Sequence, residues 1–223
     1  ALEGVSGSIG DLMARDQDRK RILDWMAQVE RDPRSANAAM KLQVQGAIFS
    51  YVEQESDVLE DSLAALHEVV RLAETRGGRA AVIHVSNGLP MIPGVDLAHQ
   101  FETVFRDISV YSGMAQHNFG DEYRDLVQAA AARGVSLYAL DASGLKPLEG
   151  FDAEDRFAPA ARAVWVHQAN LQDSLRFMAD GTGGLAVLDT NDVSAGLRRI
   201  RDDFASYYSL GYTIPHGGED RRL

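Results

Sequence analysis

Ala80-Ala-Val-Ile-His-Val-Ser86 and Val135-Ser-Leu-Tyr-Ala-Leu-Asp141 are the two segments that most restrict what this chain can become. Each is a short, nearly continuous apolar run ending in a turn signal, Asn87-Gly88 after the first and Ser143-Gly144 after the second. Runs of this kind fit strands of a parallel sheet covered on both faces. A third run, Leu185-Ala-Val-Leu-Asp189, follows the glycine-rich turn Gly181 to Gly184. Helical patterns separate the runs: about Asp96 to Phe105, then Asp121 to Arg133 closed by Gly134, then Asn170 to Ala179. The alternation of strand and helix predicts a parallel sheet wrapped by helices, an α/β fold. The stretch through Tyr111, Gly113 and Gly120 reads as irregular, and the acidic segment from Glu149 to Pro159 as a surface loop.

The chain before residue 77 has a different character. Ile22, Trp25, Met26 and Val29 recur at helical spacing until Asp32-Pro33 stops the pattern. A second helix is expected from about Ser35, and Leu59, Leu63, Leu66 and Val70 form one apolar stripe along it. Residues 1–76 therefore read as a helical arm or insertion and 77–223 as the α/β core. At the far end, Thr190 or Asn191 is expected to cap a helix carrying Val193, Leu197, Ile200 and Phe204. Tyr207 to Ile214 then alternates, as an edge strand would.

Charge narrows the partners. Lys and Arg total 22 against 33 Asp and Glu, a net charge of -11, so a phosphate backbone or anionic lipid surface is repelled. Nucleic acid is not an expected partner, and no apolar run reaches the roughly 18 residues a membrane helix needs. The absence of Cys excludes disulfides, thiolate catalysis and sulfur-ligated zinc. No nucleophile, acid–base pair or cofactor fingerprint stands out. Gly181-Thr-Gly-Gly184 precedes a strand, whereas a phosphate loop follows one and opens a helix.

A run of motifs in the second half resembles the "VWFA-related" family of bacterial von Willebrand factor A (VWA) domains. They are Asn170-Leu-Gln-Asp-Ser-Leu-Arg-Phe-Met-Ala-Asp-Gly-Thr-Gly-Gly184, Asn191-Asp192, Leu197-Arg-Arg-Ile-Arg-Asp-Asp203 and Tyr207-Tyr-Ser-Leu-Gly-Tyr212. Val85-Ser-Asn-Gly-Leu-Pro90 and Gly134-Val-Ser-Leu-Tyr-Ala-Leu-Asp-Ala142 extend the likeness, so that it covers roughly residues 78 to 215. The resemblance implies a three-layer, Rossmann-like VWA fold in which the three strands here are the fourth, fifth and sixth of six. The first three strands would then lie before Ala1. It also implies a non-enzymatic module that binds a protein or other ligand, located in the periplasm or outside the cell. The family's metal-ion-dependent adhesion site is built on an Asp-x-Ser-x-Ser pentad that does not occur here, and Asn87 stands where the family has a metal-supporting Asp. The site is therefore expected to be incomplete or degenerate, with no metal ligand assigned in this sequence and Mg²⁺ bound only if upstream strands supply the missing groups.

The candidate ligand-binding residues are those at the carboxyl ends of the strands, where α/β folds bind ligands: Ser86, Asn87 and Gly88 after the first, Asp141 and Ser143 after the second. Plain turn-forming roles are open for all of them. His84 reads first as a core histidine with one nitrogen satisfied. An alternative reading makes Asp141, His84 and Ser86 the acid–base groups of a Rossmann-like hydrolase or transferase. Another makes the helical arm a docking or oligomerisation module, with self-association through that arm or through an open sheet edge.

Overall fold

A computed structural model describes residues 9–73, 80–145 and 159–205. Two long helices come first, α1 (Ile9–Arg31) and α2 (Ala38–Ala73). Between them Asp32-Pro33 forces a break: Pro33 opens a single 3-10 turn, and the Asp32 carboxylate accepts the Arg34 N–H at 3.1 Å. The cap of α2 is Asn37, whose Oδ1 accepts the Met40 N–H at 2.8 Å, rather than Ser35. Strand β1 (Ala80–Ser86) follows, then α3 (Val95–Phe105), α4 (Ser109–Met114), α5 (Gly120–Ala132), β2 (Val135–Asp141), α6 (Pro159–Gly181), β3 (Ala186–Val187) and α7 (Val193–Ala205). The expected irregular stretch after α3 thus holds a short helix, and the last helix is capped by Asp192, whose Oδ1 accepts the Ala195 N–H at 2.8 Å. The alternating segment from Tyr207 to Ile214 lies outside the described residues.

The three strands are parallel and lie in the order β1-β2-β3, with Ala80 opposite Val135 and Ser86 opposite Asp141. The mixed α/β class is therefore as expected, in a chain that is mostly helix around a small sheet. One sheet face carries Ala80, Val135, Leu137 and Ala139 and packs on the second half of α2, on α5 and on α6. Leu59, Leu63, Leu66 and Val70 of α2 enter that cluster directly, so elements of residues 1–76 and of 77–223 share a core. The first half of α2 makes a second cluster, with Val44, Ile48 and Val52 against Ile22 and Met26 of α1 and Leu97 and Phe101 of α3. Helix α2, about 54 Å long at 1.5 Å per residue, is the spine that joins the two clusters.

The opposite sheet face is only partly covered. Helix α7 packs Ile200 and Phe204 on Tyr138, Leu140 and Val187, and the Tyr138 hydroxyl donates to Asp203 Oδ2 at 2.7 Å. On β1 this face is open: Ile83 is 46% and Val85 56% exposed, against the expectation of a strand buried on both sides. The reason is coverage, because α7 lies over β2 and β3 and no described element lies over β1. The Ala80 N–H and the Ser86 carbonyl are spent on β2, so in a parallel ladder Ala81, Ile83 and Val85 turn their backbone groups to the other edge. Among the described residues no strand pairs with that edge.

Candidate functional site

Past the carboxyl end of β1, the loop that follows it and helices α1, α2 and α6 surround a cleft of about 430 Å³. Three helices each turn residues four apart toward it: Arg15 and Arg19 from α1, Tyr51 and Glu55 from α2, His167 and Leu171 from α6. Positions i and i+4 share a helix face, which lets each helix present a pair. The loop Asn87-Gly88-Leu89-Pro90 forms the remaining wall.

That loop is held in place from several sides. The Asn170 side chain accepts the Met91 and Ile92 N–H groups, each at 3.1 Å, and donates to the Ile92 carbonyl at 2.9 Å. Tyr123 donates its hydroxyl to the Leu89 carbonyl at 3.0 Å. Gly88 has φ +94°, and a Cβ there would stand 2.4 Å from the Leu171 carbonyl oxygen. The residue must be glycine both for its left-handed backbone and for its approach to α6.

The charges of the cleft are paired from behind. Asp96, in the first turn of α3 and buried, accepts a hydrogen bond from Arg19 Nε at 2.9 Å on its Oδ2, and Arg19 Nη2 stands 2.7 Å from the same oxygen as an ion pair without hydrogen-bond geometry. Burial pushes its carboxyl up, but His167 and Arg19 together outweigh this and hold it below its ordinary value. The ring nitrogen of His167 is 3.7 Å from Asp96 Oδ1, outside hydrogen-bond reach, so the geometry makes Arg19 the partner that fixes the carboxylate. Arg15 pairs with Glu55 at 3.2 Å. Burial dominates at Glu55 and raises its pKa despite Arg15, and burial likewise raises the Tyr51 hydroxyl, which stays a neutral donor.

The residues expected from sequence divide into two groups. Asn87 and Gly88 line the cleft. Ser86 does not: its Oγ lies 2.7 Å from His84 Nε2 and accepts the Gly88 N–H at 3.1 Å, closing the turn. His84 is lowered by burial, as expected of a core histidine with one nitrogen satisfied. Asp141 is buried and accepts both the N–H (2.8 Å) and the hydroxyl of Ser143, a turn at the end of β2. Its other oxygen is 3.4 Å from Gln172 Nε2, which also donates to Asp189 at 2.7 Å and so ties the ends of β2 and β3 to α6. Arg15, Arg19, Tyr51, Glu55, Asp96 and His167 carry no sequence signal beyond their spacing of four, which surface pairs share.

Ser86 Oγ and Asp141 Oδ1 are engaged by protein donors, Asn87 is neutral, and among the described residues no group of three or more His, Asp or Glu is placed to hold a metal ion. Fold and cleft together define a mixed α/β protein with a small parallel sheet and a polar cleft at its strand ends. Compared with known protein families, curated proteins and solved structures, the chain has no match.

Proposed function

We propose that this chain is a non-enzymatic binding module of the VWA type whose recognition face is the carboxyl end of its parallel strands. The observation that carries the reading is the cleft itself: a pinned loop after β1, containing Asn87 and Gly88, faced by paired polar side chains from three helices. The side-by-side parallel order β1-β2-β3 supports the VWA part, as does the edge of β1, which has no partner strand among the described residues. A degenerate adhesion site, a protein ligand and an envelope or extracellular location belong to the same proposal and rest on the motif resemblance.

One observation favours a hydrolase instead: the 2.7 Å contact between His84 Nε2 and Ser86 Oγ is within the reach of a base and its nucleophile. A working set also needs a group that orients the base. Asp141 is committed to Ser143 and Gln172, and among the described residues no carboxylate bonds His84. The binding reading predicts no turnover of activated esters or amides and no labelling of Ser86 by a fluorophosphonate. Turnover that disappears in Ser86→Ala or Asp141→Asn would refute it.

A further inference from the structure

We infer that the cleft between α1, α2, α6 and the β1 loop is a receptor for a small organic carboxylate with a compact apolar body, anchored by Arg19 and Tyr51. The inference deepens the binding reading above and rests on it for the face that is used.

The groups that meet in the cleft have a surplus of donors. Arg19 donates from Nε to Asp96, its Nη2 is ion-paired with the same carboxylate without a hydrogen bond, and Nη1 has no protein partner among the described residues, while its side chain lines the cleft. A guanidinium has five N–H donors in a fixed fork, and one held from behind by a buried carboxylate is oriented before any ligand arrives. Tyr51, across the cleft on α2, is 7% exposed and its hydroxyl has no hydrogen-bond partner among the described residues. Asn87 adds an amide from the loop and His167 a ring nitrogen from α6. Glu55, which lines the cleft, faces Arg15, and the buried Asp96 behind the wall faces Arg19; the other lining carboxylate is Asp16 at the exposed rim. A cationic ligand would meet two guanidiniums at the floor and a carboxylate, Asp16, only at the exposed rim. A carboxylate meets a fork and a phenol that lack acceptors.

Charge also separates a carboxylate from a phosphate. The chain carries a net charge of -11, so no long-range field gathers anions and the attraction is local. A dianion would need a second cation, and Arg15 is held by Glu55. Beside Asp16 and Ser62 the wall carries Val58, Leu89, Pro90 and Leu171, which present hydrocarbon where the body of an organic acid would lie. Glu55, whose pKa burial raises, is the acidic group that can take up a proton when a second carboxylate enters, and Asp16 at the exposed rim is the other nearby acid.

The test is calorimetric titration of the 223-residue chain with benzoate, butyrate, acetate, inorganic phosphate and butylamine. Saturable binding of benzoate and butyrate, stronger than acetate and lost on Tyr51→Phe by about tenfold or more, is expected, because that change removes one hydrogen bond to a charged group and little else. The paired change Arg19→Met with Asp96→Leu removes the fork without leaving a buried charge, and should abolish binding in a protein that still melts cooperatively. Butylamine binding in preference to butyrate, phosphate binding as tightly as benzoate, or full affinity in Tyr51→Phe would overturn the inference. Failure here is distinct from failure of the broader reading. A protein that shows no turnover and no carboxylate binding removes this inference alone, whereas Ser86-dependent turnover beside intact benzoate binding removes the non-enzymatic reading alone.

Discussion

At the scale of single residues, two glycines and a histidine show how the strand ends are held. A Cβ at Gly184 would lie 1.9 Å from the Leu137 carbonyl oxygen, a backbone atom that no rotamer change can move aside. Gly184→Ala should cost about 3 kcal/mol or more in chemical denaturation. Gly88→Ala is strained by its φ and by Leu171, and should also shift the loop that carries Asn87, seen as changed amide resonances for residues 87–92. His84 is held below its ordinary pKa by burial, so the native state binds fewer protons than the unfolded chain between the folded value and about 6.5. Its contribution is fully present above that window and is lost as pH falls through it. His84→Gln should therefore flatten the fall in melting temperature below about pH 6.5. Glu55 has the opposite sign: its raised pKa makes stability fall as pH rises above its ordinary value, and Glu55→Gln should remove that slope.

At the scale of elements, the junction of α1 with α3 depends on the buried pair Arg19–Asp96. Asp96 is 1% exposed, and its Oδ1, like Gln100 Oε1 one turn further along α3, has no hydrogen-bond partner among the described residues. Such a pair is costly to bury and costlier to break. Asp96→Ala should destabilise by about 3–5 kcal/mol, because Arg19 is left desolvated, whereas Arg19→Met with Asp96→Leu should lie close to wild type in the same denaturant titration. A pair whose single and double changes simply add would show that the contact does not join the helices. The element boundaries in this region were legible where propensity is local, at Asp32-Pro33 and at Gly134, which closes α5 with φ +66°. They were less so at the start of α2, where Ser35 and Asn37 are both capable caps and only Asn37 reaches an orphan N–H.

At the scale of the whole molecule, the sheet is exposed at β1 and the helices before it belong to its core. Removing residues 1–75 takes away Leu59, Leu63, Leu66 and Val70 from the covered face, so the truncated chain should lose cooperative melting rather than yield a soluble α/β core. The edge of β1, which has no partner strand among the described residues and is flanked by the exposed Ile83 and Val85, is a template for strand pairing. Self-association that rises with concentration in sedimentation velocity is expected, and Ile83→Lys with Val85→Lys should suppress it. A monodisperse monomer at high concentration, unchanged by those lysines, would count against a reactive edge.

Sequence alone determined the parts of this protein that are local. The unbroken apolar runs of β1 and β2, the 3.6-residue stripe along α2, the Asp32-Pro33 breaker after α1 and, from their alternation, the parallel α/β class depend only on neighbours along the chain. Asn87 and Gly88 were legible for the same reason, as a turn at the end of a strand. Tertiary structure alone decided that β3 pairs over Ala186–Val187 instead of five residues, and that one face of β1 is uncovered among the described residues. It also decided that Ser86 and Asp141 close turns while Arg19, Tyr51 and His167 face a cleft. Those outcomes depend on which helix faces meet across long stretches of chain, and two charged residues four apart look the same on a solvated helix as on one packed over a strand end.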